Sequence, residues 1–241
     1  MPDGRFTEQD NGGNMENHLT AYVEFLGLPG SGKSYFSHKV AEMLRAEGYR
    51  IKEPSWELDH TTGRYIRAIK KMIMAWLFAM CHHRKAAGIK AVVNGLGLTK
   101  GDAKRFLRNI LYKAYLVRKR KEDVLFFDEG IAQVTVSMAV CANKTAGEIY
   151  KDIISVLTIG NDSVLIRIDC GIETALLNMD IRASHDSYVE KLSGLEGKKA
   201  YLNRYQAECE SVDTINLVAI PFCFDTEKIV TEISNIIKSQ I

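Results

Sequence analysis

The sequence predicts a three-layer α/β fold, with a mostly five-stranded parallel sheet and helices on both of its faces. Short apolar segments typical of strands alternate along the 241 residues with longer segments that have helical spacing, which favours parallel strands joined by helices. Val124–Phe127 is apolar at every position, as expected for a strand that is covered on both faces. The predicted strands lie at 22–26, 49–53, 124–127, 162–168 and 214–220.

A phosphate-binding loop follows the first predicted strand. It places glycine, four residues and then Gly-Lys-Ser between a strand and a helical segment. Its glycines let backbone N–H groups wrap a polyphosphate and permit positive φ angles. We expect Lys33 to contact the β- and γ-phosphates and the Ser34 hydroxyl to ligate Mg²⁺. The predicted ATP-binding residues are Gly27, Leu28, Pro29, Gly30, Ser31, Gly32, Lys33, Ser34 and Tyr35.

Acidic side chains end the second and third predicted strands, at the edge of a parallel sheet where ligands bind. Glu53 ends the second strand and is interpreted either as a functional carboxylate or as a solvated strand-end acid, with Trp56 close behind it. Asp128 ends the third strand and is predicted to hold Mg²⁺, directly or through water. The next residue, Glu129, either orients a nucleophile or caps the following helix.

A helical substrate region is predicted at about 58–122, beginning with a loop at 58–63 and a long helix at 64–84. Arg64 and Arg67 lie on the first turn of that helix, where they either reach an anionic substrate or remain solvated. The apolar run at 72–81 is too short to cross a bilayer, and we predict a buried core helix. Because the flanking residues are basic, contact with a membrane surface is the alternative.

A second helix of this region is predicted at about 102–121, after a glycine-punctuated break at 88–101. One of its faces is strongly basic, and we interpret that face as solvated. Its basic residues are Lys100, Lys104, Arg105, Arg108, Lys113, Arg118, Lys119, Arg120 and Lys121. Attraction of a phosphorylated or acidic substrate is the next interpretation. Nucleic acid is not expected as a partner, because no recognised nucleic-acid motif accompanies the basic residues.

Composition and charge describe an ordinary protein in a reducing compartment. The formal net charge is +2, and the five cysteines are widely spaced, which favours reduced thiols and a cytoplasmic location. Residues 1–17 are polar, lack the apolar core of a secretory signal and are predicted to be disordered, whereas 18–241 are predicted to form a single domain. We predict no transmembrane segment, and a homodimer is a possible state.

A lid is predicted at about 180–195, after the fourth strand. A mobile segment at this point can close over the γ-phosphate and exclude water. Arg182 lies in this segment and is the candidate to place positive charge on the transferred group.

Taken together, these motifs resemble the P-loop kinases of nucleosides and nucleotides, especially thymidylate kinase and the deoxynucleoside kinases. The resemblance begins at about Tyr22 and covers most of the chain. It implies that ATP and Mg²⁺ are used and that Glu53, in a Glu-Pro-Ser-Trp stretch, accepts the proton of the acceptor hydroxyl. Kinases of this group usually carry an arginine after the third-strand acid, whereas Glu129 stands there in this chain.

The activity implied by this resemblance is transfer of the γ-phosphate of ATP to a small acceptor, with a nucleoside or nucleotide as the first choice. A sugar or another small molecule is the alternative acceptor, because the departure at Glu129 leaves the acceptor open. A regulatory ATPase and a nucleotide-binding module without catalysis are alternatives from other classes.

Overall fold

The computed structural model describes residues 21–61, 63–119, 122–159, 163–181, 188–214, 216–223 and 225–240. The predicted N-terminal tail, Arg182 and the central part of the predicted lid lie outside these ranges.

Within the described ranges, five strands form one sheet in the order β2-β3-β1-β4-β5, and each neighbouring pair is parallel. β1 lies at the centre, between β3 and β4, so the loop that follows it begins in the middle of the carboxyl edge. The predicted fold class is confirmed. The strands are β1 (Ala21–Gly27), β2 (Ile51–Lys52), β3 (Val124–Phe127), β4 (Ser163–Asp169) and β5 (Leu217–Pro221).

Successive side chains of β1 point to opposite faces of the sheet, so both faces carry apolar side chains. Helices cover both faces. Val23 and Phe25 pack with residues of α1 and α10, whereas Leu26 packs with the layer that contains α6, α7 and α9. The helices are α1 (Lys33–Ala46), α2 (Pro54–Thr61), α3 (Arg64–Cys81), α4 (His83–Asn94), α5 (Lys100–Arg118), α6 (Ile131–Ala139), α7 (Ala146–Leu157), α8 (Ile172–Ile181), α9 (Leu195–Ser211) and α10 (Thr226–Lys238). A short 3₁₀ turn, Val189–Lys191, precedes α9.

The helical region differs from the prediction at two points. The predicted loop at 58–63 is largely helical, because α2 begins at Pro54, and proline is tolerated in the first turn of a helix. The predicted helix at 64–84 is broken at His82, whose backbone angles, φ −131° and ψ 49°, are not helical.

The predicted break at 88–101 is also wrong in its first half, since α4 continues through Gly88 to Asn94. A Cβ atom at Gly88 would lie 2.9 Å from a methyl carbon of Val156, so glycine permits the close approach of α4 to α7. Gly88 therefore serves helix packing, and α4 ends one residue before Gly95.

The prediction of a buried core helix at 72–81 is wrong for one side of α3. Ala75 and Phe78 are buried, but Trp76 and Met80 are 60% and 59% exposed. Helical spacing identifies apolar faces, whereas the number of neighbouring elements decides which faces are covered. None of the helices in the described ranges is both long enough and apolar enough to span a membrane.

Candidate active site

The loop after β1 has the backbone geometry expected of a phosphate-binding loop. Gly30 and Gly32 have φ angles of 85° and 84°, which glycine adopts without strain. A Cβ atom at Gly30 would lie 2.2 Å from the carbonyl oxygen of Ala175. α1 begins at Lys33 without a side-chain cap, so the N–H groups of its first turn face outward as an anion site. The Ser31 hydroxyl is buried without a hydrogen-bond partner among the described residues, which also fits a bound phosphate.

The side chain of Lys33, which is predicted to contact the β- and γ-phosphates, folds back over the loop. Its ammonium group donates to the carbonyl oxygens of Gly27, at 3.0 Å, and Leu28, at 2.7 Å. The side chain is buried, so the positive charge is concentrated where the loop backbone turns. The ammonium group of Lys33 is therefore held against the backbone at the start of the loop.

Ser34 and Asp128 meet at the first turn of α1, as predicted for a magnesium site. The Ser34 hydroxyl donates to Oδ2 of Asp128 at 2.7 Å, and the backbone N–H of Glu129 donates to Oδ1 at 3.0 Å. No group of three metal-ligating side chains occurs in the parts of the chain that the structure describes. One hydroxyl and one carboxylate suit Mg²⁺, which takes its other ligands from phosphate oxygens and water.

Glu53 is buried beside this pair and is held by two basic side chains. Arg45 donates to its Oε2 at 2.7 Å, and Nδ1 of His38 lies 3.2 Å from the same oxygen. The interpretation of Glu53 as a solvated acid is therefore wrong, since the residue is 3% exposed. Trp56 stacks on His38 with ring centroids 3.7 Å apart. Ser34, Glu53, Trp56 and Asp128 line one small cavity.

The remaining predicted substrate residues are placed differently. Glu129 is exposed and lines a larger cavity, and it does not cap the next helix, because α6 follows Gly130 without a side-chain cap. Arg67 is half-buried and is not among the described residues that line this cavity. The side chain of Arg64 and the whole of Arg182 lie outside the described residues, so their roles remain predictions.

The larger cavity has a volume of about 680 Å³ and opens directly over the loop. Aromatic rings form much of its wall, and three tyrosines stand in series, with ring centroids 5.4 and 5.9 Å apart. Such a wall offers stacking surfaces to a planar ring. Its described lining includes Lys33, Ser34, Tyr35, Phe36, Glu129, Gln133, Ser137, Tyr188, Tyr201, Tyr205 and Phe222.

Gln133, on the first turn of α6, holds the start of the loop, and sequence reasoning missed it. Its Oε1 accepts from the N–H of Gly27 at 3.2 Å, while its Nε2 donates to the carbonyl oxygen of Gly27 at 3.1 Å. The same Nε2 donates to the Tyr205 hydroxyl at 2.6 Å. These partners are 106 and 72 residues away in the chain, so no local pattern reveals them.

A buried polar cluster connects β1 to the start of α6, next to Gln133. The Tyr22 hydroxyl donates to Glu24 at 2.6 Å, and the N–H of Gln133 donates to the same carboxyl group at 3.2 Å. Burial raises the pKa of Glu24 and lowers the pKa of Lys113. Lys113 donates to the carbonyl oxygen of Glu129, so its interpretation as part of a solvated face is wrong. The sequence did contain a signal for Glu24, because an acidic residue inside an otherwise apolar strand indicates a buried carboxyl group with polar partners.

We expect Gln133→Leu to lower the free energy of unfolding by about 1–3 kcal/mol, because it leaves the buried N–H and C=O groups of Gly27 without the side-chain amide. Urea unfolding followed by circular dichroism measures the change. Gln206→Leu is the matched control, since the amide of Gln206 donates to Glu210 on the same helix. Equal stabilities of the two variants would contradict the assigned role of Gln133.

Comparisons with known proteins give low similarity. No protein-family profile matches the sequence, and no curated protein matches it. The structure of deoxyadenosine kinase from M. mycoides with bound dATP is similar over 89% of this chain and 97% of its own, with 17% identity and a TM-score of 0.48. The crystal structure of APE1195 is similar over 91% and 96%, with 16% identity and a TM-score of 0.43. This similarity is too low to indicate an activity. The function of the protein is therefore argued from its own residues.

The fold and the loop define the class of protein. It is a three-layer α/β protein in which a glycine-rich loop, with the sequence pattern of a phosphate-binding loop, joins the central strand to the first helix. An acid at the tip of the neighbouring strand β3 contacts the hydroxyl at the start of that helix.

Proposed function

We propose that this protein is an ATP-dependent phosphotransferase. The contact between the Ser34 hydroxyl and the Asp128 carboxylate, 2.7 Å apart beside the buried Lys33, is the observation that carries the proposal. It joins a cation, a hydroxyl and a carboxylate at the end of a loop shaped for phosphate. In phosphoryl transfer, the protein contributes mainly by positioning the reactants and by neutralising the negative charge of the phosphates.

Each side chain has one task in this proposal. Ser34 and Asp128 would hold Mg²⁺, which supplies positive charge to the β- and γ-phosphates when bound. Lys33 would move from the loop carbonyls to the phosphate oxygens. Arg182 would add a second cation from the lid. A cytoplasmic location, where ATP is abundant, belongs to the same proposal.

We propose a small hydroxyl-bearing acceptor, with a nucleoside or nucleotide as the first choice. Two features support this choice: the aromatic wall of the larger cavity, and the placement of Glu53 and Trp56 beside the predicted metal site. Glu53 would position the acceptor hydroxyl or take its proton. A sugar remains the alternative acceptor.

A screen for ADP produced with nucleosides, nucleoside monophosphates and sugars tests the proposal. We expect at least one acceptor to raise ADP production above the acceptor-free rate, in a manner that requires Mg²⁺. Lack of stimulation by every acceptor, with ATP bound, would contradict the phosphotransferase assignment.

A regulatory ATPase is the second candidate, and the ion pair of Glu53 favours it. A carboxylate held by Arg45 and His38 is an anchor for β2 and α1 as well as a potential base. In a regulatory ATPase, ADP production would be independent of any acceptor. The Glu53 variants described next separate an anchor from a base.

We expect Glu53→Gln to lower acceptor-dependent turnover by about 10²- to 10⁴-fold while ATP affinity stays within a few-fold, if Glu53 takes the proton. Arg45→Gln breaks the same ion pair and leaves the carboxylate in place. Steady-state kinetics and thermal unfolding of both variants give the answer. If the two variants lose equal stability and equal activity, Glu53 is an anchor and not a base.

A further inference from the structure

One basic residue of α5, Lys113, is buried, whereas the other basic side chains of this helix are exposed. Lys113 is 7% exposed, and its ammonium group lies 5.4 Å from the ring centroid of Phe127, the last residue of β3. Burial lowers the pKa of Lys113, because apolar surroundings disfavour the charged form. A buried ammonium group is costly unless it is paired, so its partners indicate what it does.

The partners of Lys113 belong to the candidate active site and to the cluster beneath it. Its ammonium group donates to the carbonyl oxygen of Glu129. The carboxyl groups of Glu129, Glu24 and Asp128 favour its charged form and so oppose the effect of burial on its pKa. The charge of Lys71, on α3, acts in the opposite direction. Lys113 is therefore a fixed cation among three acids.

The turn at 128–130, which follows β3, is held from two sides. From α5, Lys113 holds the carbonyl group of Glu129. From β1, the carboxyl group of Glu24 packs against Gly130, where an added Cβ atom would overlap the carboxyl carbon. Two buried ionisable groups on different elements thus fix the backbone path of this turn.

The turn directs two consecutive acids into different cavities. Asp128 lines the small cavity and accepts from Ser34, whereas Glu129 lines the larger cavity. The N–H of Glu129 also donates to Oδ1 of Asp128 at 3.0 Å. Because Lys113 holds the carbonyl group of Glu129, it restrains the backbone rotation that would move this N–H away from the Asp128 carboxylate.

We propose that Lys113 is a positioning residue for the predicted metal site, and that it holds the turn at 128–130 so that the carboxylate of Asp128 faces Ser34. Lys113 is not among the described residues that line either cavity, so it acts through Asp128 rather than on the nucleotide. The inference rests on the proposed function, because it takes Asp128 as a ligand of Mg²⁺.

Stability alone does not account for a lysine at this place. Apolar residues of similar volume often replace buried ionic groups without loss of stability. Lys113→Met keeps most of the length of the side chain but removes the donor and the charge. Glu24 would keep its hydrogen bonds from Tyr22 and from the N–H of Gln133. We therefore expect a folded variant in which the metal site is less well ordered.

Calorimetric titration with ATP, in saturating Mg²⁺ and in EDTA, gives two affinities whose ratio we call the magnesium gain. We expect Lys113→Met to reduce the magnesium gain about 10-fold, while the affinity in EDTA stays within about three-fold, as for the loss of groups that orient metal ligands. An unchanged magnesium gain in a folded Lys113→Met protein would overturn the proposal.

Val117→Ala is the matched control, since Val117 is buried on the same helix and packs in the cluster that contains Phe127. This variant should lose stability in thermal unfolding but keep the wild-type magnesium gain. If Val117→Ala lost the gain as strongly as Lys113→Met, the effect would come from damage to the packing of α5, and Lys113 would have no positioning role.

A double variant tests whether Lys113 acts through Asp128. In an Asp128→Asn background, Lys113→Met should cause no further loss of the magnesium gain, because the carboxylate that it positions is absent. Additive losses would show another route and overturn the inference alone. A wild-type magnesium gain in the Asp128→Asn single variant would instead contradict the metal site of the proposed function, and the inference with it.

Gly130→Ala tests the turn from the side of β1, and it decides the question if Lys113→Met does not fold. The added Cβ atom would overlap the carboxyl group of Glu24 and displace the turn. The magnesium gain should therefore fall although Lys113 is present. A wild-type gain in Gly130→Ala would show that the position of the turn does not set the metal site, which would overturn the proposal.

Discussion

Lys33→Ala is expected to lower the turnover of ATP by at least about 10²- to 10³-fold, because it removes the cation that contacts the transferred phosphoryl group in the proposed mechanism. Lys33 is buried over the loop, and no other lysine lines the described part of the larger cavity. Coupled-enzyme detection of ADP measures turnover, and calorimetric titration with ATP measures binding.

Lys39→Ala is the control for this experiment. Lys39 lies on the same helix but is exposed and pairs with Glu42 at 2.8 Å. Its replacement should leave both turnover and ATP affinity within about two-fold, as usual for surface charges. Circular dichroism of both variants shows whether the fold is intact. A folded Lys33→Ala protein with wild-type turnover and ATP affinity would remove the loop from the mechanism.

Asp128→Asn is expected to weaken the apparent affinity for Mg²⁺ more than any other carboxylate substitution does. The substitution keeps the shape of the side chain but removes the negative charge 2.7 Å from the Ser34 hydroxyl. We expect the Mg²⁺ concentration at half-maximal rate to rise about 10- to 100-fold, by analogy with the loss of groups that support a metal site. Titration of the ADP production rate with Mg²⁺ measures this shift.

Two controls define the result for Asp128. Asp152→Asn changes an exposed acid on α7 that pairs with Lys144, and it should leave the Mg²⁺ dependence as in the wild type. Glu129→Gln changes the adjacent acid, which faces the larger cavity and should affect the acceptor more than the metal. A larger Mg²⁺ shift in Glu129→Gln than in Asp128→Asn would reverse the roles assigned to the two acids.

The phosphate half of the site could be predicted from sequence because its residues are local in the chain. The loop, its lysine and its serine are consecutive, and the buried strand that ends at Asp128 is apolar throughout. A parallel sheet then brings Asp128 to Ser34, since both follow strands at the same edge. The contact itself follows from the fold class.

The supporting residues could not be predicted because their partners are distant in sequence. Gln133 contacts Gly27 across 106 residues, and Lys113 reaches the backbone of Glu129 from α5. For α3, periodicity identified an apolar face but not whether another element covers it. The pairing of Glu53 with Arg45 was equally hidden, because an ion pair between α1 and the residue after β2 leaves no repeating pattern in the sequence.

The destination of the γ-phosphate tests the central claim most directly. Incubation of the protein with γ-labelled ATP, Mg²⁺ and the acceptor found in the screen, followed by chromatographic separation, shows where the label goes. We expect the label on the acceptor, with loss of transfer in Lys33→Ala. Label that appears solely as inorganic phosphate, at a rate independent of the acceptor, would contradict the account and identify a nucleotide hydrolase.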